Sequence, residues 1–346
     1  MTPHGTPPAD SGISVVVPTL NDRDGLDQLI HALAQQTRAP DEVVVVDGGS
    51  ADGTKELLEA WRAETDVPVK IITGQSLSIG SARNAGVEAA AHEWIACTDA
   101  GCRPIPGWLS AIDAARHDAD FVAGVVLIEG RTPFERALAL THYPSPAELQ
   151  DPGLFVRISH RLFGRGYDPD RVGGAYMAFS KAVWSAVGGF PDELAASEDH
   201  AFSSEVVARG FRFARAREAA VRWSPPGSWR GNARMFVRYS RSDIRVRGRI
   251  RHGMRATVWS AALLTLLRGG WAARLGLGLG AASYIALPVR RARAAGYPLR
   301  HWWRIPLVVA LKDVAQIVGA VVGVLDAIRA RPAGASSGSV TRPHEG

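Results

Sequence analysis

The sequence predicts an α/β fold with a Rossmann-like, mostly parallel sheet and flanking helices, followed by a helical region that associates with a membrane. Two observations lead to this prediction. In the N-terminal part, short runs of β-branched residues alternate with amphipathic segments of helix length, and continuous apolar strands separated by helices are typical of a parallel sheet covered on both faces. The final third differs, because it combines long, weakly polar runs with many arginines.

The elements of the predicted sheet follow one another in regular cycles. The pattern predicts strands at residues 13–17, 42–46, 69–72 and 93–97, with helices at residues 25–36, 52–63 and 80–91 between them. Beyond Trp108 the pattern becomes less regular. It predicts a second lobe, with strands at residues 121–127 and 175–180 and helices at residues 181–187 and 198–209.

These elements divide the chain into four parts. Residues 12–230 form the predicted α/β domain and residues 231–330 the basic helical region, while the polar segments 1–11 and 331–346 are expected to be disordered tails. The N-terminal segment lacks the apolar core of about 7 to 15 residues that a secretory signal has, so we expect the domain to stay in the cytosol. Cys97 and Cys102 are too few for a disulfide framework and are not arranged as a zinc site, which predicts small buried residues.

The charge of the chain indicates an anionic partner. The formal net charge is +6, and the arginines are concentrated between Arg222 and Arg304. Nucleic acid, anionic lipid and phosphorylated substrates would all suit such a cluster. The same stretch is rich in Trp, Leu and Gly, a mixture that favours a membrane interface, and it contains no zinc-finger or helix-turn-helix pattern. We therefore expect anionic membrane lipids as partners and no nucleic acid.

Two apolar stretches, residues 275–289 and 305–328, decide the predicted membrane arrangement. The first is shorter than the ~20 residues of a spanning helix, and the second is interrupted by polar residues. A simple hairpin would translocate the arginines between them, against the positive-inside rule. We therefore favour a monotopic or re-entrant arrangement on the cytoplasmic face, with true spans or a soluble helical subdomain as the alternatives. The interrupting residues are Lys312, Asp313 and Gln316, and the arginines are Arg290, Arg291, Arg293, Arg300 and Arg304.

Small polar and acidic residues follow the first two predicted strands. Ligands of such sheets bind beyond the carboxyl ends of the strands. Pro18, Thr19 and Asn21 follow the first strand, where Thr19 and the backbone could hold a base or a ribose, or form an ordinary turn. Asp47 follows the second strand and precedes two glycines. Its carboxylate could accept hydrogen bonds from a base or from ribose hydroxyls.

Two further motifs lie close to the same edge of the predicted sheet. Arg83 and Asn84 fall in the first turns of a helix, where an arginine and a helix N-terminus both favour a diphosphate; a solvated helix face is the alternative. Asp99 follows the fourth strand, where it could hold a divalent cation that bridges a diphosphate, or form a simple turn with Gly101.

The paired acids Glu198 and Asp199 open a predicted amphipathic helix after a Gly-Gly-Phe element. One carboxylate of such a pair can serve as a general base for an incoming hydroxyl, while its neighbour orients the site. Acids in the first turn are also favoured by the helix dipole alone, which is the competing interpretation.

In this order and spacing, the five segments resemble the inverting family 2 glycosyltransferases with a GT-A fold, over roughly residues 11–229. The resemblance implies that Asp199 is the catalytic base of an ED motif, with Glu198 as its partner, and that Asp99 is the first acid of a DXD motif. It also implies that the donor sugar nucleotide is bound by Pro18, Thr19, Asn21, Asp47, Arg83, Asn84 and Asp99.

Two departures from the family pattern concern the cation. Gly101 replaces the second acid of the DXD motif, and no histidine stands at residues 221–223, where many members have a metal ligand. The resemblance implies Mn²⁺ or Mg²⁺ held by Asp99, the diphosphate and water, or an arginine that supplies part of the positive charge. Trp223 and Gly174 are expected on the acceptor side. The fuller motif of processive members is missing, which favours transfer of a single sugar.

The function implied by the resemblance is inverting transfer of one sugar from a nucleoside-diphosphate sugar, with a UDP-sugar favoured. The expected acceptor is a hydroxyl of a lipid-linked or cell-envelope glycan at the cytoplasmic face of the cell membrane. A non-catalytic membrane scaffold that binds nucleotide sugars is the alternative. A dinucleotide-dependent oxidoreductase fits poorly, because Pro18 and Thr19 stand where a GxGxxG turn is needed.

Overall fold

The computed structural model describes residues 12–75, 77–145, 147–148, 151–163, 172–194, 196–246 and 249–329. Its eight-stranded sheet consists of β1 (Ile13–Thr19), β2 (Glu42–Asp47), β3 (Val69–Thr73), β4 (Trp94–Cys97), β5 (Cys102–Pro104), β6 (Phe121–Ile128), β7 (Met177–Ser180) and β8 (Phe213–Trp223). The strand order is β3-β2-β1-β4-β7-β6-β8-β5.

The helices of the α/β part flank this sheet, and those of the C-terminal region follow it. They are α1 (Arg23–Ala34), α2 (Thr54–Glu64), α3 (Ile79–Ala89), α4 (Trp108–Ala115), α5 (Pro133–His142), α6 (Gly153–Phe163), α7 (Lys181–Val187), α8 (Glu198–Ala208), α9 (Trp229–Val246), α10 (Arg249–Arg268), α11 (Trp271–Ala294) and α12 (Arg304–Arg329). Short 3₁₀ helices lie at Arg116–Asp118, Gly174–Tyr176 and Leu299–His301.

The first four strands pair in parallel, as the sequence predicted. Every residue of β1, β2 and β4 is buried, which explains why these strands show no alternation of apolar and polar residues. Helix α1 begins and ends two residues before its predicted bounds. Strand β1 continues through Pro18 to Thr19, so these two residues belong to the strand instead of following it.

The second half of the sheet is mixed. Strand β7 is antiparallel to both β4 and β6, β8 is parallel to β6, and β5 is antiparallel to β8. The predicted strand 175–180 is shorter than expected, because its first two residues belong to the 3₁₀ turn Gly174–Tyr176. Elements β5, β8, α4, α5 and α6 were not predicted. Strand β8 was missed because four charged residues interrupt its eleven-residue sequence.

Apolar side chains pack on both faces of the sheet. On one face, Val15 and Val17 pack with Leu26 and Leu29 of α1. On the other, Val16 and Val44 pack with Val87 of α3. Burying one such side chain stabilises the fold by about 1.5–3 kcal/mol. Both cysteines are buried and unpaired, as predicted.

Helices α9 and α12 of the C-terminal region lie in backbone contact. A Cβ at Gly323 would lie 2.6 Å from the carbonyl oxygen of Arg241, and one at Gly319 would overlap the carbonyl of Val237. The Arg241 guanidinium also pairs with the Asp326 carboxylate at 2.6 Å. Two glycines four residues apart thus let the last helix pack directly on α9.

A buried polar network joins the four C-terminal helices. Asp313 of α12, one of the residues that interrupt the apolar stretch, accepts a hydrogen bond from the Tyr284 hydroxyl at 2.7 Å and pairs with Arg255 at 3.2 Å. Arg255 contacts the ring of His252 at 3.0 Å, and His252 contacts Asp243 of α9 at 3.1 Å. The polar interruption at Asp313 is therefore satisfied inside the helical layer.

Helices Trp271–Ala294 and Leu299–Arg329 are long and apolar enough, by length and composition, to cross a membrane. The first has 24 residues, so the expectation that this region is too short for a span was wrong, because the helix continues beyond the apolar stretch at both ends. Arg291, which the sequence placed among the interhelical arginines, is buried in α11 and bonds Glu148 at 2.6 Å. This arginine is therefore used by the fold.

Candidate active site

A cavity of about 800 Å³ opens beyond the carboxyl ends of β1 and β4, between the α/β part and helix α9. This is the position at which ligands bind in such sheets. Six of the predicted site residues line it, namely Arg83, Asp99, Gly174, Glu198, Asp199 and Trp223.

Arg83 is the centre of the charged cluster. It projects from α3, whose N-terminus is capped by the Ser78 hydroxyl. Its side chain is only 1% exposed, and the guanidinium donates hydrogen bonds to Asp99 at 2.7 Å and to Glu198. A Cβ at position 174 would overlap this guanidinium, so Gly174 makes the space that Arg83 fills. Arg83 thus joins the strand-end acid to the helix acid, a role the sequence analysis did not foresee.

The two adjacent acids of α8 are held in different ways. One oxygen of Asp199 accepts the backbone N–H of Gly174 at 2.8 Å, and the other accepts the N–H of His200 at 2.7 Å. Glu198 is 3% exposed and bonds Arg83. Because Gly174 contacts both Arg83 and Asp199, its structural part is to shape the acid site.

The surroundings shift the pKa values of the two acids in opposite directions. Burial would raise the pKa of Asp199, but His200, Arg83 and the backbone N–H groups of Gly174 and His200 together hold this pKa below its ordinary value. Burial raises the pKa of Glu198, and the Asp199 charge raises it further, against the opposing effect of Arg83. The pair therefore loses its first proton from Asp199, which leaves an ionised carboxylate ready to accept a proton.

The predicted nucleoside residues lie together at the neighbouring strand ends. The register of β1 and β2 pairs Thr19 with Asp47. Asp47 is buried and accepts the Ser50 hydroxyl at 2.6 Å, and the Asn21 amide oxygen accepts the N–H of Ala51 at 2.9 Å. The buried Thr19 hydroxyl has no hydrogen-bond partner among the residues that the structure describes. A buried hydroxyl without a partner calls for an explanation, and contact with a bound ligand would supply one.

Asn84 is occupied by a loop of the protein. Its amide nitrogen donates to the carbonyl of Phe190 at 2.8 Å and to Asp192 at 2.9 Å, and its oxygen accepts from Trp184 at 2.9 Å and from the N–H of Phe190 at 2.8 Å. The full hydrogen-bonding capacity of the amide is used. In this arrangement Asn84 positions the Gly-Gly-Phe loop and offers no free group to a diphosphate.

The surroundings of Asp99 suit a divalent cation. Arg83 is a single positive charge among the carboxylates of Asp99, Glu198 and Asp199, and only one Asp99 oxygen bonds it. A Cβ at Gly101 would lie 3.2 Å from an oxygen of Asp22, so the Asp22 carboxylate occupies the space beside the missing second acid.

The surroundings of Asp22 raise the pKa of its carboxyl group. Burial raises its pKa, and the carboxylates of Asp52, Asp24 and Asp99 add to this effect against the opposing N–H of Gly25. Within the described ranges, no cluster of three or more His, Cys, Asp or Glu side chains could hold a metal. Two carboxylates with diphosphate oxygens and water would suffice for Mg²⁺ or Mn²⁺.

Helix α9 supplies cavity residues that the sequence analysis missed. Arg234 and Arg238 line the cavity together with Tyr239, whereas the sequence predicts lipid contacts for this arginine cluster. The sequence does contain an indication of this arrangement, because Arg234 and Arg238 are four residues apart and such residues lie on one face of a helix. Burial raises the pKa of Tyr239, against Arg238, and the Asp199 and Asp99 charges add to the rise.

Trp223 lines the cavity at the point where β8 pairs with Cys102 of β5. It ends β8, and its ring packs edge-to-face on Tyr143 with centroids 5.9 Å apart. Tyr143 also lines the cavity, and burial raises the pKa of its hydroxyl. This aromatic pair was found only through the fold, since the two residues are distant in the sequence.

Part of the chain is similar to a known protein family. Residues 14–178 match the model of "Glycosyl transferase family 2". The chain is 32% identical over 99 residues to glycosyltransferase AglE of Haloferax volcanii, covering 28% of this chain and 33% of that protein. It is 36% identical over 119 residues to a validoxylamine A glucosyltransferase of Streptomyces hygroscopicus, covering 33% and 26% of the two chains. The match therefore spans only a quarter to a third of the length of these relatives.

Longer alignments are weaker in identity. Succinoglycan biosynthesis protein ExoA of Rhizobium meliloti is 26% identical over 242 residues, 65% of this chain and 70% of that protein. The mannosyltransferase PcManGT of Pyrobaculum calidifontis, solved with GDP-Man and Mn²⁺, is 19% identical with a TM-score of 0.55 over 91% of this chain and 88% of that one. This likeness confirms the fold. Residues 14–178 therefore match the model of family 2 glycosyltransferases, and the chain has the GT-A fold that the sequence predicted.

Proposed function

We propose that this cavity is the active site of an inverting transferase, which moves a single sugar from a nucleoside-diphosphate sugar to an acceptor hydroxyl. One observation carries the proposal: the Asp199 carboxylate lines the cavity with its pKa held down, while Arg83 ties its neighbour Glu198 to Asp99 at the sheet edge. An ionised acid thus stands in the same cavity as the strand-end acid.

The chemical step follows from this placement. Asp199 takes the proton of the acceptor hydroxyl while that oxygen forms a bond to the anomeric carbon. The bond from this carbon to the diphosphate oxygen breaks on the opposite face, and the nucleoside diphosphate leaves with the bonding electron pair. Glu198 and Arg83 hold the acidic helix in place. Arg238 and Arg234 of α9 are the cavity cations that can face anionic groups of the substrates.

The donor nucleoside is proposed to lie beside Thr19, Asn21 and Asp47, with Pro18 shaping the strand end. The unpartnered Thr19 hydroxyl and the Thr19–Asp47 register support this position. A UDP-sugar remains the favoured donor. Calorimetric titration of the protein with UDP, GDP and dTDP tests the donor class, and binding of none of the three would favour the scaffold function.

A divalent cation would supply charge neutralisation for the leaving diphosphate, with Asp99 as its protein ligand and Asp22 beside it. We expect Asp22→Asn to weaken Mn²⁺-dependent nucleotide binding by about tenfold or more. Asparagine keeps the size of the side chain and removes the negative charge that the cation needs. The measurement is the same titration with Mn²⁺ and with EDTA.

The matched control for this variant is Asp24→Asn, because Asp24 lies on the same turn with a side chain that is 90% exposed. It should bind nucleotide as the wild type does. Equal affinities for the wild type and Asp22→Asn would remove Asp22 from the cation site. If both variants weaken nucleotide binding equally, the effect comes from the overall negative charge of this loop and not from a contact between Asp22 and the cation.

The acceptor is proposed to be a lipid-linked or cell-envelope glycan, used at the cytoplasmic face of the membrane. The apolar helices α11 and α12 support membrane association. A relative supports the same proposal: the chain is 30% identical over 137 residues to an undecaprenyl-phosphate 4-deoxy-4-formamido-L-arabinose transferase of Pseudomonas fluorescens. A monotopic or re-entrant arrangement stays our proposal for residues 231–330, with Trp223 on the acceptor side of the cavity.

A further inference from the structure

Helix α6 presents an apolar face that the fold leaves uncovered. It lies in the segment between β6 and β7, inside the α/β part of the chain. Leu154, Phe155, Ile158 and Leu162 are between 40 and 75% exposed. At about 100° per residue, these four side chains fall within an arc of about 100° on one side of the helix.

The other two sides of α6 have different characters. Val156 and Ser159 are buried against the protein. Arg157, His160 and Arg161 are exposed and occupy the remaining side. The helix therefore has one face on the protein, one apolar face in the open and one basic face beside it. This order is typical of a helix that lies in the plane of a membrane interface.

Both ends of α6 contact α11. The ring of Phe163 packs on Tyr284 with centroids 5.4 Å apart, and the Arg290 guanidinium lies 5.2 Å from the centre of the Phe155 ring. Helix α11 exposes Trp271, Leu275 and Leu279, and only 11% of its apolar segment is buried. The open face of α6 thus lies next to the most exposed of the apolar C-terminal helices.

We infer that α6 docks on a lipid bilayer, with its apolar face among the acyl chains and its basic face on anionic phospholipid headgroups. The basic residues beside the apolar face complement an anionic surface. A second copy of a chain with a net charge of +6 would bring the same basic residues together. Continuity with α11 also favours lipid, because a bilayer can cover both surfaces at once.

This docking would deepen the proposed function, on whose membrane association it rests. Helix α11, which contacts both ends of α6, also donates a hydrogen bond from Arg291 to the carbonyl of Leu140 at 3.3 Å, three residues before Tyr143, which lines the cavity. A bilayer under α6 would therefore lie close to the acceptor side of the cavity. An acceptor with a lipid anchor could then enter from the membrane without leaving it.

Site-specific fluorescence tests the inference on the full chain. Cys97 and Cys102 are buried, so a single introduced cysteine can be labelled selectively. Ile158→Cys places a dye on the apolar face, and His160→Cys places it about 160° away on the basic face as the matched control. Leu279→Cys on α11 reports whether the chain meets the bilayer at all. The vesicles contain phosphatidylglycerol and brominated phosphatidylcholine, and iodide is the quencher from the water phase.

We expect the dye at 158 to be quenched by brominated lipid about threefold more than the dye at 160, and to be protected from iodide. Lipid quenching at 279 without quenching at 158 would overturn the inference and leave the proposed membrane association standing. Absence of lipid quenching at both sites would contradict that association as well. Protection of 158 from both quenchers would show that protein covers α6, which also overturns the inference.

Discussion

Replacing Asp199 with asparagine is expected to lower the turnover of sugar transfer by about 10²- to 10⁴-fold, the usual contribution of a general base. Asparagine keeps the shape of the side chain and, through its one oxygen, the hydrogen bond from the Gly174 N–H, while its amide nitrogen replaces the oxygen that accepts the His200 N–H. It cannot accept the acceptor proton. Nucleotide binding should remain unchanged, because the nucleoside residues lie at the ends of β1 and β2. Turnover is measured as released nucleoside diphosphate, and affinity by calorimetry.

The matched control is Glu193→Gln, which removes an exposed carboxylate from the loop before α8 and should leave turnover unchanged. Near-normal turnover of Asp199→Asn would remove Asp199 from the base role. A wild-type protein that binds a nucleotide sugar but transfers nothing to any glycan would instead be the scaffold. In the active enzyme, the lowered pKa of Asp199 keeps the base ionised as the pH falls towards about 4. If turnover already falls at a pH above this value, the loss would therefore report protonation of Glu198, whose pKa is raised.

The second large effect concerns stability. Arg83→Met should reduce the free energy of unfolding by about 3–5 kcal/mol, because it leaves the buried Glu198 without its cation. The exposed pair Arg209–Glu205 provides the control, and Arg209→Met should cost at most about 1 kcal/mol. Chemical denaturation of both variants measures the difference.

The loss of stability in Arg83→Met should depend on pH through the carboxyl group of Glu198. Without Arg83, the pKa of Glu198 in the folded state rises further above the unfolded value. The destabilisation is then full above the folded pKa and is relieved as protonation neutralises the acid at lower pH. The added change Glu198→Gln should likewise recover part of the loss, since the two residues are in contact. A loss that is independent of pH and unaffected by Glu198→Gln would mean that Arg83 acts through packing alone.

The N-terminal half of the sheet was predictable because its strands are buried on both faces. The runs of valine in β1 and β2 have no other simple interpretation than central strands of a parallel sheet. Strand β8 gave no such signal, because Arg215, Arg217 and Arg222 point away from the core on an edge region of the sheet. Tertiary pairing with β6 overrides its polar composition.

The acidic motifs of the candidate site were visible in the sequence, but their connections were not. Arg83 and Glu198 are 115 residues apart, so only the fold brings them together. The role of Asn84 depends on the path of the loop at residues 188–192, which no local pattern specifies. Asp22 was missed because an acid at the start of a helix is the ordinary expectation there. Its position beside Gly101 becomes visible only in three dimensions.

The glycine contact between α9 and α12 changes how the chain can be divided. Because Gly319 and Gly323 bring the last helix onto α9, and α9 and Gln316 of α12 both line the cavity, one wall of the site is built by the C-terminal region. A chain cut at residue 230 would keep every acidic motif and still leave the cavity open on that wall. The shape of that wall can therefore diverge through substitutions in α9 and α12 while the acidic motifs stay fixed.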